Sequence, residues 1–166
     1  MGSLLEYICE YEKQLGKGVI QKAYQGLMEY IINLRTHFGK KFPDFAPGNI
    51  YQGYMDMTYF PIFPRELTTR KLKIAIVLIH ETIRFEIWLA AQNKQIQSEY
   101  RNLFKKEGNF NKYRIPAVVM GVDSIVEYTL ADNPDFGDLN ALTKQIEKGT
   151  LAFIGDIEEF LYKHQS

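Results

Sequence analysis

His80, Arg84, Glu86 and Trp88 fall in one short stretch of the chain, with Asp56 upstream of them. In extended backbone, side chains alternate between faces, so Arg84, Glu86 and Trp88 share one side of a strand. A guanidinium and a carboxylate there can orient a polar ligand, and an indole beside them can stack on a planar ring. With Asp56 and His80 added, the set is a candidate acid-base site for a hydrolase or transferase. The competing and favoured reading is structural: Arg84 and Glu86 pair with each other or with a neighbouring helix while Trp88 fills core.

Other chemistries fail on residue type. His80-Glu81-Thr82-Ile83-Arg84 begins like a zinc-protease helix motif, but arginine, which cannot ligate zinc, stands where that motif needs its second histidine. His37, His80, His164 and Cys9 are too few for a structural zinc site, so no metal ligands are assigned, although a carboxylate-rich magnesium or manganese site stays open. Asp56 with Glu86 suggests a metal-dependent nuclease that follows an aspartate with Glu-x-Lys. Trp88 occupies the lysine position, which leaves that motif incomplete. Cys9, alone in an apolar-periodic stretch, reads as a small buried hydrophobe.

The elements that position these groups follow from periodicity. Leu72 to Ile79 is apolar on both faces and rich in isoleucine and valine, and Arg84 to Ala90 alternates, so the two read as a hairpin. A single buried helix through the same residues is the alternative, since Leu72, Ile76, Ile79, Ile83 and Ile87 also fit helical spacing. The turn decides where His80 points. A two-residue turn at Thr82 and Ile83 sends it away from Arg84 and Glu86, and a three-residue turn brings it onto their face.

Around the hairpin, residues 54 to 60 alternate as a strand that Pro61 and Pro64 end or mark as an edge, and Ile115 to Val119 and Ser124 to Leu130 are two more strand candidates. Ser3 and Glu6 form a capping box ahead of a helix from Leu4 to Leu15, with a second helix from Val19 to Phe38. Helix returns from Gln92 to Lys106 and from Leu139 onward, where one stripe stays in register across Gly149 and Gly155 as one bent helix or two. The expectation is an α+β fold in one domain over residues 1–166, an antiparallel sheet of three to five strands packed by N-terminal and C-terminal helices.

Charge and composition narrow the partners. Twenty basic residues balance twenty acidic ones, so no global field draws in nucleic acid or anionic lipid. No leader pattern precedes the first helix, and the longest apolar run, Ile74 to Ile79, is far short of the roughly 20 residues that span a membrane. A cytoplasmic location is expected. Tyr51, Tyr54 and Tyr59 could stack bases, but without a basic excess they read mainly as packing residues.

The strings QKAYQGLMEYIINLRTHF, IYQGYMDMTYF, LKIAIVLIHETIRFEIWLAAQNKQIQ, DNPDF and LTKQIEKGT resemble, as a set, an uncharacterised family of small bacterial cytosolic proteins, a domain of unknown function. The resemblance spans nearly the whole chain and implies a Gram-positive source. It brings no activity, cofactor or catalytic residue. Three functions therefore stand on residues alone: a module binding a small, nucleotide-like molecule at the Arg84, Glu86 and Trp88 face; a hydrolase or transferase built on Asp56, Glu86 and His80; and a homodimeric or partner-binding regulator using the aromatic loop from Gly39 to Pro64. The first is preferred.

Overall fold

Ser3 and Glu6 close their capping box in both directions: the Glu6 amide donates to the Ser3 hydroxyl and the Ser3 amide to the Glu6 carboxylate, starting α1 (Leu4–Gly16). The computed structural model describes residues 2–107, 112–117 and 123–164, and the chain forms two compact units, Met1–Thr36 and His37–Ser166. In the first unit, Gly18 turns the chain at φ 74°, a conformation glycine adopts without steric penalty, into α2 (Val19–Lys41). The expectation that Cys9 is buried is wrong. It is exposed, as are Leu5, Ile8 and Tyr11, because helical periodicity shows which side is apolar and not whether anything covers it.

The second unit is built on a five-stranded antiparallel sheet in the order β1-β2-β3-β4-β5. Its strands are β1 (Tyr51–Gln52), β2 (Met57–Ile62), β3 (Leu72–Ile79), β4 (Arg84–Ala91) and β5 (Ser124–Ala131). The dense β-branched run 72–91 is thus a hairpin and not a helix, as χ1-restricted side chains favour. Short α3 (Arg65–Thr68) precedes β3, and α4 (Lys94–Glu107) joins β4 to the later chain. Pro61 lies inside β2, where β1 is too short to reach it; the Gly48 amide donates to its carbonyl instead, at 2.8 Å.

Phe60, Ile62, Ile74, Ile76, Leu78, Phe85, Ile87 and Leu89 are buried on one face of this sheet. The α5 helix (Leu139–Lys163) packs there as one continuous helix, burying Leu142, Ile146, Phe153, Ile157 and Leu161. Gly149 allows the close approach, since a Cβ at that position would stand 2.7 Å from Leu130 Cδ2. Phe104 of α4 stacks on Phe160 at 4.5 Å between centroids. In the loop after α2, Phe42 and Phe45 stack at 5.1 Å and are half-buried, so they tie the loop down.

The β3–β4 turn is neither of the two expected ones. Ile79 pairs with Arg84, so His80 to Ile83 form a four-residue loop. A three-residue turn would have set Glu86 opposite Leu78 on the core face. A two-residue turn needs positive φ at both positions in type I′ or at the first in type II′, for which Thr82 and Ile83 are poor residues. Even so, Ile83 sits at φ 47°, which crowds a β-branched side chain. Ile83→Gly should therefore raise stability by about 0.5–1 kcal/mol, read as a higher Tm. No change or a lower Tm would mean that Ile83 contributes more through contacts than it loses to strain.

The end of α2 is tied to α5 through Glu147, whose carboxylate lies 2.7 Å from His37 Nε2 and 3.0 Å from Lys41 Nζ. Burial pushes this carboxyl up, but the hydrogen bonds from His37 and Lys41 outweigh burial and hold it below the ordinary glutamate value. A depressed acid contributes stability at pH above its unfolded-state value and loses it as pH falls through the folded one. Glu147→Gln should thus cost about 1 kcal/mol at neutral pH and progressively less below about pH 4.5. Equal denaturation midpoints for both proteins at pH 7 would contradict this.

Candidate functional site

The face of the sheet turned away from α5 carries every second residue of its strands, and pairing sets them side by side. Ala75 lies opposite Trp88, Trp88 opposite Glu127, Val77 opposite Glu86, and Tyr59 opposite both Tyr51 and Val77. Arg84, Glu86 and Trp88 share this face. Glu86 is only 2% exposed, and a buried carboxylate needs compensating charge and hydrogen bonds. Its Oε1 accepts from Trp88 Nε1 at 2.8 Å and from Arg114 Nη2 at 3.0 Å. Its Oε2 lies 2.6 Å from Arg84 Nη2, a charge contact without hydrogen-bond alignment.

Arg114 arrives from a segment that, among the described residues, pairs with β5 at one position, exchanging both backbone hydrogen bonds with Glu127. Of the strand expected over Ile115 to Val119, residues 115–117 are irregular and 118–119 lie outside the described residues. That single bridge still brings the guanidinium across Glu86, Glu127 and Thr129. Glu127 in turn accepts from the Ser124 hydroxyl. The network holds the nitrogen edge of the indole, and the rest of the Trp88 ring lines a cavity.

That cavity is about 330 Å³ and lies over Ala75 and Ala90, whose small side chains leave the sheet surface low. Trp88, Tyr59, Tyr51 and Met57 form its walls, and Tyr51 and Tyr59 lie against each other at 5.0 Å between centroids. Burial, with Tyr51 and Asp123 nearby, raises the Tyr59 phenol above the ordinary value, so it remains a hydrogen-bond donor near neutral pH. Three charged side chains border the space: Lys73, Asp56 and Asp123. Asp123 pairs with Lys94 at 2.7 Å.

Asp56 and His80 have other work. Asp56 Oδ1 accepts from the Tyr54 and Met57 amides at 2.9 and 2.8 Å, closing the β1–β2 turn in which Met55 takes φ 65°. The Met57 amide is the main reason its carboxyl is held below the ordinary aspartate value. His80 Nε2 lies 2.8 Å from the hydroxyl of Thr58, a residue buried on the core face. Burial depresses the imidazole, only partly offset by Asp56, so it is neutral at neutral pH. Asp56 and Trp88 therefore border the cavity, Arg84 and Glu86 form the network beside it, and His80 is directed to the opposite side of the sheet.

A second groove of about 360 Å³ lies between α3 and α5, bordered by Glu66, Arg70, Glu158, Glu159 and Tyr162. Burial raises Glu158, and the Glu66 charge adds to this. Three carboxylates and one arginine border it, without the indole wall and small floor of the sheet-face cavity. Among the described residues no three of His, Cys, Asp and Glu gather as a metal-holding group. The Gly39–Pro64 loop exposes large apolar side chains chiefly at Tyr51, Tyr54 and Met55, next to the cavity rim.

Sequence reasoning missed Lys73, Arg114 and Ser124. Lys73 had a visible signal: it is the one charged residue in LKIAIVLI, a run otherwise apolar on both faces. Arg114 had none, because one isolated bridge leaves no periodicity.

No described helix is long and apolar enough to cross a membrane. No curated protein and no solved structure matches the chain. The family described as Domain of unknown function (DUF7000) matches residues 4–161, which is nearly all of the sequence and includes the whole sheet, and the chain belongs to that family.

Proposed function

We propose that this protein binds a small, planar, nucleotide-like molecule on the sheet face over Ala75 and Ala90. The observation that carries the reading is Trp88: its nitrogen edge is fixed by Glu86, and its ring borders a cavity of about 330 Å³. Ligand sites are typically apolar concavities of some 300–1,000 Å³ with a few placed polar groups, and this one lies at the small end, sized for one ring system. A ring held in one orientation loses little freedom when a ligand stacks on it, and the interaction is worth about 1–3 kcal/mol per base. Arg84 and Glu86 serve as positioning residues, since their charges are spent on each other and on Arg114. The acid-base reading has less support, because His80 bonds Thr58 on the other side of the sheet from Glu86.

Native mass spectrometry of protein taken from its host is the direct test. The expected result is a retained small molecule with ultraviolet absorbance, kept in part by Trp88→Phe and lost in Trp88→Ala. The same adduct on folded Trp88→Ala protein, or no adduct on any of the three, would speak against the site.

A further inference from the structure

Lys73 lies on central strand β3, opposite Ala90, half-buried against the floor of the cavity. Charged side chains on this face are otherwise engaged. Arg84 and Arg114 are paired with Glu86, Glu127 lies with Arg114, Asp123 is with Lys94, and Asp56 accepts two backbone amides. Among the described residues, Lys73 alone of the cavity's charged groups has no ion pair and no hydrogen bond. Lysine lays its aliphatic stem along apolar surface and keeps its ammonium at the open end, where it can meet an anion.

Resting on the ligand-binding reading above, we infer that the ligand carries one acidic group, seated on Lys73 while its ring lies on Trp88. The same geometry limits the charge. One ammonium offsets about half to two-thirds of the charge on a single phosphate monoester, and the carboxylates of Asp56 and Asp123 on the rim repel the charge of any further phosphate. A nucleoside monophosphate fits this pattern. A triphosphate, which needs several cations or a bound metal, does not.

Trp88 is the only tryptophan of the chain, so its fluorescence reports on this wall alone. The test titrates the full-length protein with the common ribonucleoside 5′-monophosphates, their parent nucleosides and their triphosphates. At least one monophosphate is expected to quench Trp88 with an affinity about tenfold or more above that of its nucleoside, the usual effect of one charged hydrogen bond, and above that of its triphosphate. Lys73→Met keeps the aliphatic stem and should bring monophosphate and nucleoside to equal affinity, whereas Lys73→Arg should restore most of the difference. Nucleosides binding as tightly as monophosphates, or a preference that survives in Lys73→Met, would overturn the acidic-group inference and leave the cavity reading standing. If none of these compounds perturbs Trp88, both fail.

Discussion

Replacing Arg84 and Arg114 together by methionine is expected to destabilise the fold by about 3–5 kcal/mol, the usual penalty for leaving a buried charge without its partners. The reason lies in who can reach water. Glu86 is 2% exposed, while the side chains of Arg84 and Arg114 are 33% and 50% exposed. Taking away the arginines strands the carboxylate with only the Trp88 N–H for company. Taking away the carboxylate leaves two guanidiniums that can turn outward, so Glu86→Gln should cost only about 1–2 kcal/mol. Adding Glu86→Leu to the double variant should recover most of the loss, since an apolar trio removes the stranded charge altogether. Chemical denaturation of the four proteins measures all of this. Equal losses for the double variant and Glu86→Gln would contradict the asymmetry, and with it the assignment of Glu86 as the buried centre of the network.

The second large effect is expected at Phe153→Ala, at about 3–5 kcal/mol. Phe153 is fully buried and meets the Tyr113 ring edge-on at 5.1 Å. Tyr113 is held further by Tyr128 and by a hydrogen bond from its hydroxyl to Asp156. The next residue, Arg114, reaches the opposite face of the sheet and completes the Glu86 network. Loss of Phe153 therefore loosens the anchor that delivers Arg114. The variant should shift the Trp88 emission as well as lower the denaturation midpoint, although Phe153 is on the core face and Trp88 is not. A lowered midpoint with unchanged Trp88 emission would separate core packing from the sheet-face network.

Much of this architecture is legible in periodicity, because burial imposes period two on strands and a stripe on helices. Leu72 to Ala91 reads as two strands through its β-branched density, and Leu142, Ile146, Phe153 and Ile157 trace the buried side of α5. What periodicity does not carry is closure and coverage. The four-residue turn depends on Ile83 accepting a left-handed conformation, which residue identity alone argues against. The apolar side of α1 is as periodic as that of α5, yet α1 buries none of its residues.

The site was legible to a different degree at each position. Alternation places Arg84, Glu86 and Trp88 on one face, but leaves open whether Arg84 and Glu86 pair with each other, as they do, or with a neighbouring helix. That Trp88 borders a cavity depends on Ala90, two residues along the same strand, and on Ala75 across from Trp88 both being small, and the second is a cross-strand fact that no single segment contains. His80 turns on loop length, and Arg114 on one bridge.

The most direct test of ligand binding at this face is the indole N–H cross-peak in a ¹⁵N–¹H correlation spectrum, which one tryptophan makes unambiguous. On addition of the ribonucleoside 5′-monophosphates, that peak should move together with the amides of Tyr59, Lys73 and Ala90, and the amides lining the α3–α5 groove should stay in place. A stationary indole peak while the resonances of Arg70, Glu158 and Tyr162 shift would place binding in the other groove and contradict the assignment of the Trp88 face.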